Sequence, residues 1–256
     1  MSFFTKYPKI NYDLFSDGSA FELTDISRAV IINSTRIADD NALYTYYSIN
    51  DGDRPDVVSH KLYQNSSYYW TFFIVNNDLQ NYWHDWPKSS EALREFAEAE
   101  YIGLAAIFDA DEEAFGKFVV GGTVNGSLSN ATGTVIAIYP TIGYIQIEQN
   151  KTSVANFRTE GESITLTAAN STKTEDIAKV GNTLACTSIV KAAYAPNYHI
   201  DDGTGERTRR RTAGTSPVTN FEEENEVNLI KSRIKVIKPA HIGKVVAFWE
   251  KVMRES

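Results

Sequence analysis

Between Tyr44 and Trp86 the chain concentrates twelve of its 31 aromatic residues, in a pattern that writes two short helices joined by almost nothing. Asp53 is the expected cap of the first, with its carboxylate on the free amides of the opening turn. Pro55 follows where a missing N–H costs least, and Asp56 favours the positive end of the helix dipole. Val58 and Leu62 then share a face, with Val57 and Tyr63 beside them, and Gln64 ends the pattern. Asn65, Ser66 or Ser67 starts the second helix. Its apolar face is Tyr69, Phe72 and Phe73, with Trp70 and Ile74 adjoining. Asn76 and Asn77 are expected to stop it in the left-handed conformation. Ahead of both helices, Tyr44, Tyr46 and Tyr47 read as a strand ending at the turn Asn50-Asp51-Gly52. A stretch this apolar must bury itself, and it carries no evident catalytic group. It points to binding and assembly before chemistry.

That order, strand, Gly-Asp turn, helix, short turn, helix, resembles a LysM module. More narrowly, Tyr47 to Asn77 resembles the LysM-like baseplate wedge subunit of contractile-tailed phages, the wedge protein fifty-three family of T-even-like viruses. Tyr7-Pro8 with Ile10 and Tyr12 agrees, as does Leu23-Thr24-Asp25-Ile26 with Arg28. Near the end, Arg233-Ile234-Lys235-Val236-Ile237-Lys238-Pro239 leads into a helix through Trp249. The resemblance covers roughly the first hundred residues and the last forty.

Composition allows one large or two modest domains in 256 residues, with ordinary apolar (42%) and charged (23%) fractions for a soluble protein. A net charge of -8 argues against nucleic acid as a general partner. Cys186 is the single cysteine, so no internal disulfide framework exists. The opening residues Met1 to Lys6 do not read as a signal peptide, and no run approaches a membrane span.

The fold class expected is α+β: a LysM-like βααβ module with an extended N-terminal arm, an inserted small antiparallel β-barrel or sandwich, and a C-terminal helix. Residues 1–43 read as the arm, with one strand at Ala29–Ile32. Residues 44–116 hold the module and a following helix, capped at Ser89 or Ser90 and reaching about Phe108. Residues 117–193 carry short strand candidates separated by Gly, Asn, Ser and Thr, and read as the insert. Residues 194–256 read as a loop to Asn228, a returning strand at Arg233–Ile237, and a helix bearing Ile242, Val245, Val246 and Trp249. The returning strand is expected to pair with Tyr44–Ser48 and so close the module across the insert.

No constellation in the chain carries chemistry. His84-Asp85 has no nucleophile beside it, His199 with Asp201 and Asp202 is explained as well by a turn, and the four histidines lack ligand spacing. No catalytic residue, metal or cofactor is therefore expected, and the protein is not read as an enzyme. Arg207, Arg209, Arg210 and Arg211 form the densest positive run. Glu222, Glu223, Glu224 and Glu226 follow as the densest negative one. The two runs are solvated, or contact an oppositely charged neighbour, or pair with each other. Tyr68, Trp70, Trp83 and Trp86 are candidate contact aromatics, and with the arginines and Trp249 they make up the expected interface set. Burial in the core or an interface is favoured over sugar stacking.

The resemblance implies a structural subunit of a contractile-tail baseplate wedge. Such a subunit clamps neighbouring wedge proteins around the hub and contacts the sheath-initiating subunit, in several copies per particle. It would be made in the host cytoplasm and carried in the virion. The alternative is a LysM module that binds peptidoglycan N-acetylglucosamine polymers in a cell-wall-associated protein.

Overall fold

The computed structural model describes residues 7–13, 16, 18, 20–25, 42–76, 78, 79, 84–153 and 155–255. The strand expected at 29–32, and the expected roles of Ile26, Arg28, Asn77 and Trp83, lie outside those residues. In chain order the strands are β1 (Lys9–Tyr12), β2 (Phe21–Thr24), β3 (Tyr44–Ser48), β4 (Leu104–Ile107), β5 (Thr123–Gly126), β6 (Thr132–Tyr139), β7 (Tyr144–Gln149), β8 (Ser163–Ala168), β9 (Thr183–Ala185), β10 (Ser188–Lys191), β11 (Pro196–Asp201), β12 (Arg207–Thr208), β13 (Thr215–Thr219) and β14 (Arg233–Ile237). The longer helices are α1 (Pro55–Tyr63), α2 (Trp70–Val75), α3 (Ser90–Glu100), α4 (Asn220–Ser232) and α5 (Pro239–Glu255). The mixture of helix and antiparallel sheet is α+β, as expected. Two compact units form: Met1–Ser90 with Val227–Ser256, and Glu91–Glu226.

The first unit is built from both ends of the chain. β3 and β14 pair antiparallel, with Tyr47 opposite Ile234 and Thr45 opposite Val236. This is the pairing expected from the alternation in Arg233–Ile237. It puts Ile234 and Val236 into one core with Val58, Phe72, Leu79 and Trp86. Phe72 stacks against Trp86 at 6.0 Å between ring centroids. A neighbouring cluster joins Val75 and Ile237 to Ile242 of α5, and the Trp249 ring lies 4.5 Å from that of Trp70.

Local signals hold at some ends and fail at others. Gln64 ends α1 in the left-handed region at φ 56°, and Asn65 Oδ1 accepts from Ser67 N at 2.9 Å to open a 3-10 turn before α2. Asp53, however, is not the cap of α1. The cap position is Arg54, without a side-chain bond, because Pro55 fixes the first helical residue one step later than the Asp needs. The Asp53 carboxylate instead takes Lys61 Nζ at 2.5 Å. Asn76 is extended at the end of α2 (φ -119°, ψ 104°), not left-handed. Its amide is used elsewhere: Nδ2 donates to Lys235 O and Oδ1 accepts from Lys235 N, both at 2.8 Å. The arm also differs from a one-stranded expectation, since β1 and β2 form a hairpin whose eight paired residues are all exposed.

The second unit holds a seven-stranded antiparallel sheet in the order β10-β4-β7-β6-β5-β8-β9. Its two edge strands, β9 and β10, are separated in sequence only by Cys186 and Thr187. The sheet must therefore roll so that its ends approach each other, around a core of Ala106, Phe108, Phe115, Phe118, Val124, Ile145, Ile164, Leu166 and Ile189. The insert was expected from 117 to 193, but strand pairing begins earlier, at β4. The helix expected to reach Phe108 stops at Glu100. Gly103 follows at φ +83°, where an added Cβ would meet Ile147 O at 2.6 Å, and Leu104–Ile107 then pairs with β7. The segment read as a loop to Asn228 is also ordered. β11 pairs with β12 and β13, and α4 begins at Asn220. Short runs broken by Pro196, Gly203 and Pro217 hide strands whose pairing supplies their stability.

Glu162 is fully buried here, and nothing in its sequence context marks it. Its Oε1 accepts from Leu128 N at 2.7 Å and Ser129 N at 3.3 Å, and its Oε2 from Arg158 N at 2.9 Å. Burial pushes its pKa up, but the amide bonds outweigh it and hold the carboxyl below its ordinary value. A lowered folded pKa means the stabilisation is complete above the unfolded value of about 4.3 and is lost as pH falls through the folded one. Glu162→Gln should destabilise the second unit at neutral pH by about 2 kcal/mol, because an NH₂ group then faces backbone donors. The deficit should shrink as pH drops below about 4, which thermal melts across pH 3 to 7 would test. A deficit independent of pH would mean the carboxylate charge does not contribute.

Candidate functional site

The aromatic unit is held together by side chains that bond to backbone at a distance. Asp51, in the turn before α1, accepts from Ser90 N and Ser90 Oγ, each at 2.8 Å. Gly52 makes that turn possible at φ +74°. Trp86 Nε1 donates to Asp53 O at 2.8 Å. Asn228 Oδ1 accepts from Lys88 N at 2.8 Å and its Nδ2 donates to Lys88 O at 3.0 Å. Asn76 treats Lys235 in the same way. Asn76 stands in for a strand partner on β14 and Asn228 for a backbone partner of Lys88, and such bonds contribute about 1 kcal/mol apiece. Tyr63 Oη donates to Ile237 O at 2.8 Å, and burial drives the Tyr63 phenol far above its usual range.

The expected interface residues are therefore divided. Trp70, Trp86 and Trp249 are buried, at 8%, 8% and 4% exposure. They are core of the first unit and offer no surface to a partner, which corrects their selection as contact residues. A ring large enough to drive an interface is equally suited to fill the gap between α2 and α5. Tyr68 is half-buried, its ring 6.2 Å from that of Tyr63. Trp83 lies outside the described residues.

The arginine run belongs to the second unit and is largely paired. Arg207 bridges Glu223 and Glu226, each at 3.3 Å, and lies over the Tyr198 ring at 4.6 Å. Arg210 meets Glu112 at 3.0 Å. Arg211 meets Asp109 at 2.6 Å and donates to Phe108 O. Of the three alternatives, pairing within the chain describes Arg207. For Arg210 and Arg211 the partners are acids of the 109–112 stretch. Arg209 is exposed. These pairs are mostly solvated, so each contributes little.

The histidines and the cysteine show no assembled chemistry. Asp201 Oδ1 accepts from Gly203 N at 2.9 Å and Thr204 N at 2.8 Å, the turn that explains it. His199 is buried on β11, and burial together with the charge of Arg211 lowers its pKa. Burial pushes the Cys186 thiol up to about 12, so it stays protonated at neutral pH. Among the described residues no three His, Cys, Asp or Glu side chains gather in a set that could hold a metal ion. Among them, too, no helix is long and apolar enough to cross a membrane.

Alternation in Arg233–Ile237 implied one buried and one wet face for the β3–β14 ribbon; what sequence reading missed is the pairing of cations with rings on the wet one. Arg233 lies over the Tyr46 ring at 4.7 Å, and Lys235 Nζ over the Tyr44 ring at 5.0 Å. Alternation in Arg233–Ile237 and in Tyr44–Ser48 was the available signal, since it puts these four residues on one face once the register is known.

No curated protein matches the chain. A protein-family comparison does match, and it covers the strand, the two helices and the following segment just described, though not β14 or α5. Over residues 1–114 the chain matches the family of base plate wedge protein 53, which supports a structural role in a phage baseplate, in association with other baseplate proteins and located in the virion tail.

Proposed function

We propose that the protein is a clamp of the baseplate wedge in a contractile tail, holding neighbouring wedge subunits together around the hub. The observation that carries this is the closure of the first unit by β14, which ties the matched N-terminal region to the C-terminal helix. A strand–helix–helix–strand body closed in this way has the layout of a LysM module. Rigidity matters for a clamp, because a body that does not deform transmits the position of one neighbour to the next. The exposed hairpin β1–β2 is a suitable reaching element. An isolated two-stranded ribbon is marginal in water and gains stability when it packs on something else. The proposed partners are other wedge proteins and the sheath-initiating subunit, with affinity multiplied by repetition around the tail. Its role is mechanical, with no cofactor and no reaction.

Peptidoglycan binding is not favoured. Sugar-stacking platforms need open aromatic faces, whereas Trp70, Trp86 and Trp249 are buried and Arg233 covers the Tyr46 ring. The test is co-expression of the full chain with the other wedge proteins of the same phage, followed by purification through one of them. Recovery of the chain in a stable complex is expected. A chain that elutes alone, yet sediments with insoluble peptidoglycan, overturns the clamp and reinstates the glycan reading.

A further inference from the structure

The two edges of the β3–β14 ribbon are treated differently. The backbone bonds from Ile49 N to Ser232 O and from Lys238 N to Leu43 O fix the phase of the ladder. With Tyr47 opposite Ile234 and Thr45 opposite Val236, these residues exchange the ladder bonds. The backbone groups of Arg233, Lys235 and Ile237 on β14, and of Tyr44, Tyr46 and Ser48 on β3, must then point away from the ribbon. On β14 that outer edge is capped at its middle and end: Asn76 takes both Lys235 N and Lys235 O, and Tyr63 takes Ile237 O. On β3 the outer N–H and C=O groups of Tyr44, Tyr46 and Ser48 have no hydrogen-bond partner among the described residues. Thr45, Tyr46 and Ser48 are exposed.

An open strand edge is a template for a further strand, and proteins usually blunt it. Here one edge is blunted by two dedicated side chains, and among the described residues nothing blunts the other. We propose that the free edge of β3 is a strand-acceptor site for an extended acidic segment of another baseplate protein, an inference that rests on the baseplate role above. The acidic character follows from charge position. Arg233 and Lys235 start on β14 but carry their cations across onto the rings of Tyr46 and Tyr44. That brings positive charge to β3 itself, about 4.8 Å from where an added strand would run. Alternate residues of that strand would share the wet face with these cations, so carboxylates there would be matched and lysines repelled. The same geometry argues against a second copy of this chain. Two β3 edges paired with each other would bring four cations onto one face.

The test follows backbone amide exchange in the free full-length chain and in purified tails that contain it. The amides of Tyr44, Tyr46 and Ser48 should exchange fast in the free chain and about ten-fold or more slower in tails, while those of Thr45 and Tyr47 are slow in both. Tyr46→Pro removes an outward N–H that the ribbon does not use, and should abolish incorporation into tails while shifting the melting curve of the free chain only by the loss of the exposed ring under Arg233. Arg233→Glu with Lys235→Glu should weaken incorporation without touching the backbone edge. A chain present in tails whose Tyr44, Tyr46 and Ser48 amides still exchange fast overturns this inference and leaves the baseplate role standing. A chain absent from tails overturns both. A free chain that dimerises and protects the same amides replaces the acidic partner with a second copy.

Discussion

Truncation after Asn228 should unfold the first unit outright, and the amides of residues 44–76 should lose their exchange protection. The cut removes β14 and α5, and with them Ile234, Val236, Ile237, Ile242 and Trp249, all nearly fully buried. Losing one large core side chain typically costs about 2–5 kcal/mol, so the loss of five is comparable to or larger than the whole stability of an ordinary domain, about 5–15 kcal/mol. The remaining chain would also keep β3 with neither edge paired, and Asn76 and Tyr63 with no strand to bond. Persistent protection in β3, α1 and α2 after the cut would show that the ribbon contributes little and that the unit is closed by other contacts.

Phe72→Ala is the point substitution expected to do most harm. Phe72 is fully buried, stacked on Tyr63 at 6.1 Å and against Trp86 at 6.0 Å. Truncation should cost about 3–5 kcal/mol, the usual range for a buried aromatic. Phe73 is the useful contrast. Helical spacing puts it on the same apolar face as Phe72, yet it is only half-buried, with its ring 5.9 Å from that of Trp86. Phe73→Ala should therefore cost about half as much. Urea unfolding monitored by tryptophan fluorescence would separate the two. Equal losses would place both rings in one closed core. A negligible loss at Phe72 would mean the α2 face is not the centre of the unit.

The comparison of the two phenylalanines marks the limit of what periodicity conveys. A 3.6-residue repeat identifies α1 and α2 and says that one side is buried. It does not say where the buried side ends, because that depends on which neighbour covers it. Chain ends behave similarly. Gln64 and Asn65 act through groups within a few residues, and their roles were readable. Asn76 was readable only as a stop, since its amide bonds to a residue far away along the chain.

The sequence by itself determined the two helices, the strand before them, the returning strand and its partner, and the baseplate resemblance of the first hundred residues. These rest on local backbone preferences, on apolar alternation and on short motifs, all written in adjacent residues. Tertiary structure alone decided the rest. It made Trp70, Trp86 and Trp249 core rather than contact surface, and carried Leu104–Ile107 into the rolled sheet. It also ordered the segment from Pro196 to Asn220, seated the Glu162 carboxylate among backbone amides, and capped one edge of the ribbon with Asn76 and Tyr63 while, among the described residues, it left the other uncapped. Each of these turns on a hydrogen bond or a packed ring between residues distant in sequence, and the free energy of such a contact exists only once the chain has brought the two together.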